Sequence, residues 1–245
     1  MRALRILLVI VVVLGGLFVL VDRVAVHFAQ GEVADKLRTT EGLATTPDVS
    51  IKGFPFLTQL AGGSLDDVEV GIEDYEADTG VNGQTLRIGD LRADMKGVAF
   101  SGDYSSATAT TASGTATVAY DELLKTAKSE KTRVAPGLTA EVVGLSDGGN
   151  GKIKVTVEAT VLGVKLKDPV SVLSTVSVKG DIVRVHADSL PDFRGVTAAE
   201  NEVRSVTDFQ QKIEGLPGGI SLDSVQAGKN GVEITVKGSN VRLAG

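Results

Sequence analysis

Residues Ile6 to Val21 form an uninterrupted apolar run behind Arg2 and Arg5, and this run decides where the rest of the chain can work. It is 16 residues long without a charge, against about 20 needed to span the hydrocarbon core of a bilayer, so a cleaved signal peptide and a retained anchor both fit. Retention is favoured, because Leu20 to His27 contain no Ala-x-Ala pattern for a signal peptidase. Asp22 and Arg23 suit the far interface, where long or charged side chains snorkel toward water. Arg2 and Arg5 hold the amino terminus on the cytoplasmic side, which sends the remainder across the plasma membrane as a single-pass protein. The expected organisation is a signal anchor over residues 1–23 and an exported domain over residues 24–245.

The chain has no cysteine, which removes disulfides, thiol catalysis and cysteine metal sites together. Its formal charge of −6 argues against nucleic acid as a partner. Seven Phe, three Tyr and no Trp leave little for a stacking platform, so aliphatic side chains must build the interior.

The hydrophobic period changes once. Val26, Ala29, Val33 and Leu37 recur at helical spacing, predicting a helix from the membrane to about Pro47. Beyond Asp48 the period is 2: Val68, Val70 and Ile72 alternate with acidic residues, as do Ile153 to Val161 and Val232 to Val236. Parity slips at Gly89–Asp90 and at Gly163 predict bulges in long, curving strands. Asn82–Gly83, Asn150–Gly151 and Asn230–Gly231 predict hairpin turns and hence antiparallel pairing. Ser105 to Val118 reads as a strand with a small-residue face. Two helices are expected within the β-rich part, one over Tyr120 to Lys128. The other starts at the capping box of Thr197 and Glu200 and carries Val203, Val206, Phe209 and Ile213 on one face before Gly215 and Pro217. Ser64 to Gly71 faintly echo Ser221 to Gly228. The fold class is therefore α+β, a strongly curved antiparallel sheet packed with a few helices after an N-terminal membrane helix.

Catalytic patterns are poorly served. Gly144 to Gly148 have the spelling of a nucleophile elbow around Ser146, but a strand rather than a helix is expected to follow. His186 lies opposite the apolar parity of its strand, and two distant histidines without cysteine do not make a zinc site. Asp66, Asp67, Glu69 and Glu73 read as the wet side of a strand. No catalytic residue, metal or cofactor is expected.

Two other features point to lipid. Gly53-Phe54-Pro55-Phe56-Leu57 crowds two phenylalanines around a proline, with Leu60 following; it reads either as a packed turn or as an apolar rim touching acyl chains. Lys125, Lys128, Lys131 and Arg133 form a basic cluster in an acidic protein, either a solvated face or a patch for an anionic head group.

Together with Ser64-Leu65-Asp66-Asp67-Val68, Leu216-Pro217-Gly218-Gly219-Ile220 and Gly231-Val232-Glu233-Ile234, the N-terminal anchor and the Gly53–Leu57 motif resemble the LmeA family of actinobacterial envelope phospholipid-binding proteins. That resemblance spans nearly the entire exported region and implies a curved antiparallel sheet enclosing an apolar cavity, akin to tubular lipid-binding modules. It carries over no catalytic residue. The expected function is a membrane-tethered protein that buries acyl chains of a phospholipid, with a phosphatidylinositol-like lipid as the candidate. Phe54, Phe56, Leu57 and Leu60 would form the apolar entrance, with Lys125, Lys128 and Arg133 near the head group. The alternative is a non-catalytic envelope scaffold that docks a protein partner such as a cell-envelope glycosyltransferase.

Overall fold

A computed structural model describes residues 2–40, 42–78, 85–103, 105–126, 131–189, 204, 206–212 and 219–244. Helix α1 runs unbroken over Arg2–Thr40. Its side chains are exposed up to Val21, and a buried face starts at Asp22 and continues through Val26 and Ala34, with Ala25, Ala29 and Leu37 partly buried on the same side. The helical stripe read from the sequence is thus real but rotated at its centre: Ala34 is buried, whereas Val33 is 40% exposed.

Two antiparallel sheets follow, one of them curled strongly into half a barrel. Sheet 1 has the order β1 (Asp48–Lys52), β2 (Ser64–Ile72), β4 (Thr85–Phe100), β5 (Ala107–Ala119), β14 (Gly231–Ala244), β13 (Ile220–Ala227), with β3 (Tyr75–Asp78) on the start of β4. Sheet 2 has the order β12 (Phe209–Lys212), β11 (Ile182–Ala187), β10 (Val170–Lys179), β8 (Lys152–Val161), β7 (Leu138–Gly149), β6 (Thr132–Ala135), with β9 (Val164–Lys165) on the end of β8. Two short helices complete the fold, α2 (Phe56–Ala61) before β2 and α3 (Tyr120–Thr126) after β5. The echoing octapeptides form β2 and β13, each the first strand of an antiparallel pair in sheet 1.

Alternation sorts these strands into two cores. In the first, Val49, Ile51, Leu65 and Val98 of sheet 1 meet Val26 and Ala34 of α1 and Phe56 of α2. Ala109 and Ala112 of β5 are buried in the same cluster. In the second, Leu138, Val142, Val155, Val157 and Val172 of sheet 2 pack with Val225, Ala227 and Val232 from β13 and β14, and with Leu123 and Leu124 of α3. Fully burying an aliphatic side chain of this size contributes about 1.5–3 kcal/mol, so these two clusters account for most of what holds the sheets in place.

The turn chemistry follows the sequence with two exceptions. Asn150–Gly151 turn β7 into β8 with φ of 53° and 72°, and Gly228 N–H bonds Gly231 C=O at 2.8 Å across the β13–β14 turn. The predicted bulge in β4 is present, with a register shift between Gly89 and Arg92 and Asp90 at φ 47°. At Gly163, however, the chain does not curve on: Leu162 and Gly163 make a two-residue turn that folds β9 back onto β8. The second exception is the helix expected through Phe209 and Ile213. Helical residues end at Thr207 and Phe209 begins strand β12 on β11, because the Asp208 side chain bonds β11 and stops the helix there. Thr197 to Val203, Ile213 to Gly218 and Asn82–Gly83 lie outside the described residues.

Candidate functional site

Residues 53–60 pack against α1 at the point where its apolar run ends. Pro55 precedes α2 and has no side chain that can cap it, so the first N–H groups of α2 need a partner from elsewhere. Asp22 supplies it: its fully buried carboxylate accepts the Leu57 N–H at 2.8 Å and the Arg23 guanidinium at 2.6 Å. Arg23 also donates to the Gly53 carbonyl at 3.4 Å and lies 5.1 Å from the centre of the Phe54 ring. A cation over an aromatic face at this range is attracted by the ring quadrupole. Gly53 has φ 93°, and a Cβ there would fall 3.0 Å from the Asp66 carboxylate, so glycine is required for this close wrap. Gln59 Oε1 accepts the Asp66 N–H at 2.7 Å and ties α2 to β2.

The motif's two phenylalanines have opposite roles. Phe56 is 3% exposed and fills the first core, whereas Phe54 is 56% exposed beside Arg23. Leu57 and Leu60 are half-buried against that core. The packed-turn reading thus describes Phe56, and only Phe54, with the outer parts of Leu57 and Leu60, faces outward as an apolar rim.

The basic residues are elsewhere. Lys125 is exposed on α3 and pairs with Glu122, Arg133 is exposed on β6, and Lys128 lies outside the described residues. Strand β4 shows how far apart the two groups are. Glu122 accepts the Arg87 N–H near its start, while Val98 near its end pairs with Leu65, next to α2. Eleven residues separate Arg87 from Val98, about 36 Å along the strand at ~3.3 Å per residue. Lys125 therefore stands at the opposite end of β4 from the turn that carries Phe54, and Arg133 lies on sheet 2. Spacing along the chain gave no sign of this, because separation in the fold is set by the length of β4. What the sequence reading missed is Asp22 and Arg23, taken as interfacial charges; a carboxylate in phase with Val26 on one helical face was the available signal.

A groove of about 610 Å³ lies on the face of sheet 1 away from α1, where Asp48, Ser50, Glu69, Arg92 and Asp94 line it together with Val70, Ile72, Leu91 and Ala93. Its lining is thus mixed, with carboxylates beside aliphatic side chains. Asp67, Glu69 and Asp94 bring carboxylate oxygens within 4.8 Å of one another. Lys52 pairs with Glu69, and Lys96 lies 3.9 Å from Asp94, which offsets their repulsion.

Sheet 2 carries another polar cluster. His186 Nδ1 lies 2.7 Å from Asp208 Oδ2, and Asp208 Oδ1 accepts the Ala187 N–H at 3.0 Å. Burial pushes the Asp208 carboxyl up, but hydrogen bonds from Ala187, His186 and Thr207 outweigh it and leave the group below its ordinary range. The His186 ring is 60% exposed and braces the chain entering β12. Ser146 sits within β7, ahead of the Asn150–Gly151 turn, so Gly144 to Gly148 are part of a hairpin and not a strand-to-helix elbow.

No curated protein and no solved structure matches the chain. A family model, LmeA-like phospholipid-binding, matches residues 20–237. The match begins two residues before Asp22, where α1 joins the first core, and runs through both sheets into β14. The chain therefore belongs to the LmeA-like phospholipid-binding family.

Proposed function

We propose that this protein is a membrane-tethered phospholipid carrier or sensor whose lipid-handling face is the membrane-proximal end of sheet 1, around Phe54, Leu57 and Leu60. The observation that carries this reading is the continuity of α1: exposed and apolar from Ile6 to Val21, then joined to the core through Asp22 and Val26 without a break. At 1.5 Å per residue the run from Ile6 to Val21 covers about 24 Å of a hydrocarbon core of about 30 Å, so the far interface falls near Arg23. Phe54 then lies at the level where acyl chains give way to head groups, with the Arg23 guanidinium stacked on its ring.

Family membership supports a phospholipid as the ligand. Each CH₂ withdrawn from water gains about 0.8 kcal/mol, so a lipid needs no reactive group to be held, only apolar surface next to the bilayer it leaves. With Arg2 and Arg5 retained on the cytoplasmic side, the folded part works on the extracytoplasmic face of the plasma membrane in envelope biogenesis. Retention of residues 1–23 fits the packing, since any cut after Asp22 would remove the partner of Leu57. Mass spectrometry of the native protein tests this reading, with an intact N-terminus and a co-purified phospholipid as the expected result. Protein that carries no lipid and takes none from vesicles overturns it.

The scaffold reading, in which sheet 1 docks a glycosyltransferase or another envelope protein, draws on one observation: Phe56 packs a solid core where the lipid reading expected an apolar lining. Co-purification of a stoichiometric protein partner, with no lipid, is the result that would favour it.

A further inference from the structure

The β8–β9 hairpin ends in the most exposed large apolar side chain among the described residues. Leu162 is 83% exposed and Val164 is 70% exposed. Leu162 also occupies a left-handed position, φ 47°, which turns ordinarily give to Asn or Gly, and Gly163 follows at φ 82°. A second turn supports it. The Leu162 N–H bonds the Gly137 carbonyl at 2.6 Å, and its Cδ2 would lie 2.6 Å from a Cβ on Gly137. A costly backbone conformation that displays a bare leucine is a feature to be explained by what the leucine meets.

The pairing register behind the tip places charges in layers. Arg133 pairs with Thr139, Thr139 with Thr160, and Thr160 with Lys165, so these four residues form one row across four strands. All project from the outer face, because Val134, Leu138, Ala159 and Leu166 turn inward to the second core. One step further back, Glu141 pairs with Glu158, and Glu158 holds Lys165 at 2.6 Å. Along β8 the sequence of layers is apolar at residue 162, cationic at the row of residue 160 and anionic at the row of residue 158. Two residues of strand advance about 6.6 Å, and the head-group zone of one leaflet is about 5–8 Å thick. Apolar, cationic and anionic layers thus match the acyl, phosphate and aqueous levels of a bilayer surface.

We propose that the paired tips of the β6–β7 and β8–β9 hairpins are a second membrane contact, which inserts Leu162 and Val164 into an anionic phospholipid surface with Arg133 and Lys165 at the phosphates. Charge complementarity selects this occupant: the chain as a whole carries −6, yet its glutamates stand behind the cations at this tip. The contact is separate from α1 and does not require a lipid to be held near Phe54. It gives Arg133 a head-group role at the tip of sheet 2.

The absence of cysteine makes the test direct. The full chain carrying Leu162→Cys labelled with the environment-sensitive fluorophore NBD is reconstituted into vesicles of phosphatidylcholine with phosphatidylglycerol, with Lys154→Cys on the outer face as the reference. The expected result is a several-fold rise in emission at 162, quenched by spin-labelled lipid, and none at 154. Quencher placed only in the protein's own vesicles, or only in added vesicles, tells whether the tip touches its own bilayer or a second one; quenching in either supports the proposal. Replacing Arg133 and Lys165 by Ala weakens insertion by roughly fivefold per charge removed on anionic vesicles. Leu162→Asn, suited to the same turn, keeps the fold and abolishes the contact to vesicles. Emission at 162 that stays water-like, while NBD at Phe54→Cys reports lipid, overturns the proposal and leaves the lipid-carrier reading standing. Lipid contact at 162 in a protein that co-purifies no lipid does the reverse.

Discussion

The Asp22 carboxylate accepts the Leu57 N–H at 2.8 Å, which locks the long apolar helix α1 to the short helix α2 that follows the exposed Phe54. The bond holds the apolar run at a fixed angle to the folded part, since α1 is unbroken between Val21 and Val26. Asp22→Ala leaves the Leu57 N–H without its partner beside the buried position of the carboxylate, where an unmade hydrogen bond costs more than a made one gains. The expected outcome is a drop of several degrees in melting temperature and faster amide exchange at Leu57, while a protein lacking only residues before Asp22 keeps its melting temperature.

Phe54 and Phe56 should separate cleanly on substitution. Phe56→Ala opens a cavity in the first core and lowers unfolding stability by about 3–5 kcal/mol in urea titration. Phe54→Ala changes stability by no more than about 0.5 kcal/mol and instead weakens lipid uptake from vesicles.

Leu162→Asn should stabilise the domain by about 1 kcal/mol, because Asn accepts the left-handed conformation that Leu162 adopts at φ 47°. A chemical denaturation midpoint that rises while membrane contact is lost identifies Leu162 as retained for what it touches and not for the fold.

Acid should loosen the structure in a defined window. Asp103 is held down to about 2 by the Ser101 and Ser105 hydroxyls, and Asp188 is lowered by Lys152 and Thr175. Asp208 is also lowered, its hydrogen bonds outweighing burial. Below the ordinary carboxyl value of 3.8 the unfolded chain binds protons before the folded one. Stability contributed by these groups is therefore present above that pH and fades as pH falls through their lowered values, which for Asp103 is about 2. Melting temperatures at about pH 7 and about pH 3 should diverge less for Asp208→Asn than for the unaltered chain.

Much of the local structure was legible because period and turn chemistry are local. Val68 to Ile72 and Ile153 to Val161 announce half-buried strands by alternation, and Asn150–Gly151 requires little beyond its own dihedral freedom to make a hairpin. The slip at Gly163 shows the limit of that reasoning, since a bulge and a two-residue turn leave the same parity signature and only the pairing of Val161 with Val164 separates them. Phe209 shows another: its helical phase with Val206 is genuine, yet Asp208 bonds the backbone of β11 and the chain turns into a strand.

The sequence alone determined that the chain begins with a helix fit for a bilayer, continues as antiparallel β-structure, and shares the motifs of a phospholipid-binding family, because these depend on residue order and spacing. Only the tertiary structure decided which side of each element meets which neighbour. It put Phe56 inside and Phe54 outside, used Asp22 to cap a helix 35 residues away, and kept Lys125 at the other end of β4 from Leu65. The physical reason is that packing and hydrogen bonding act between surfaces brought together by the fold, and the distance between two surfaces depends on strand lengths and register rather than on nearness along the chain.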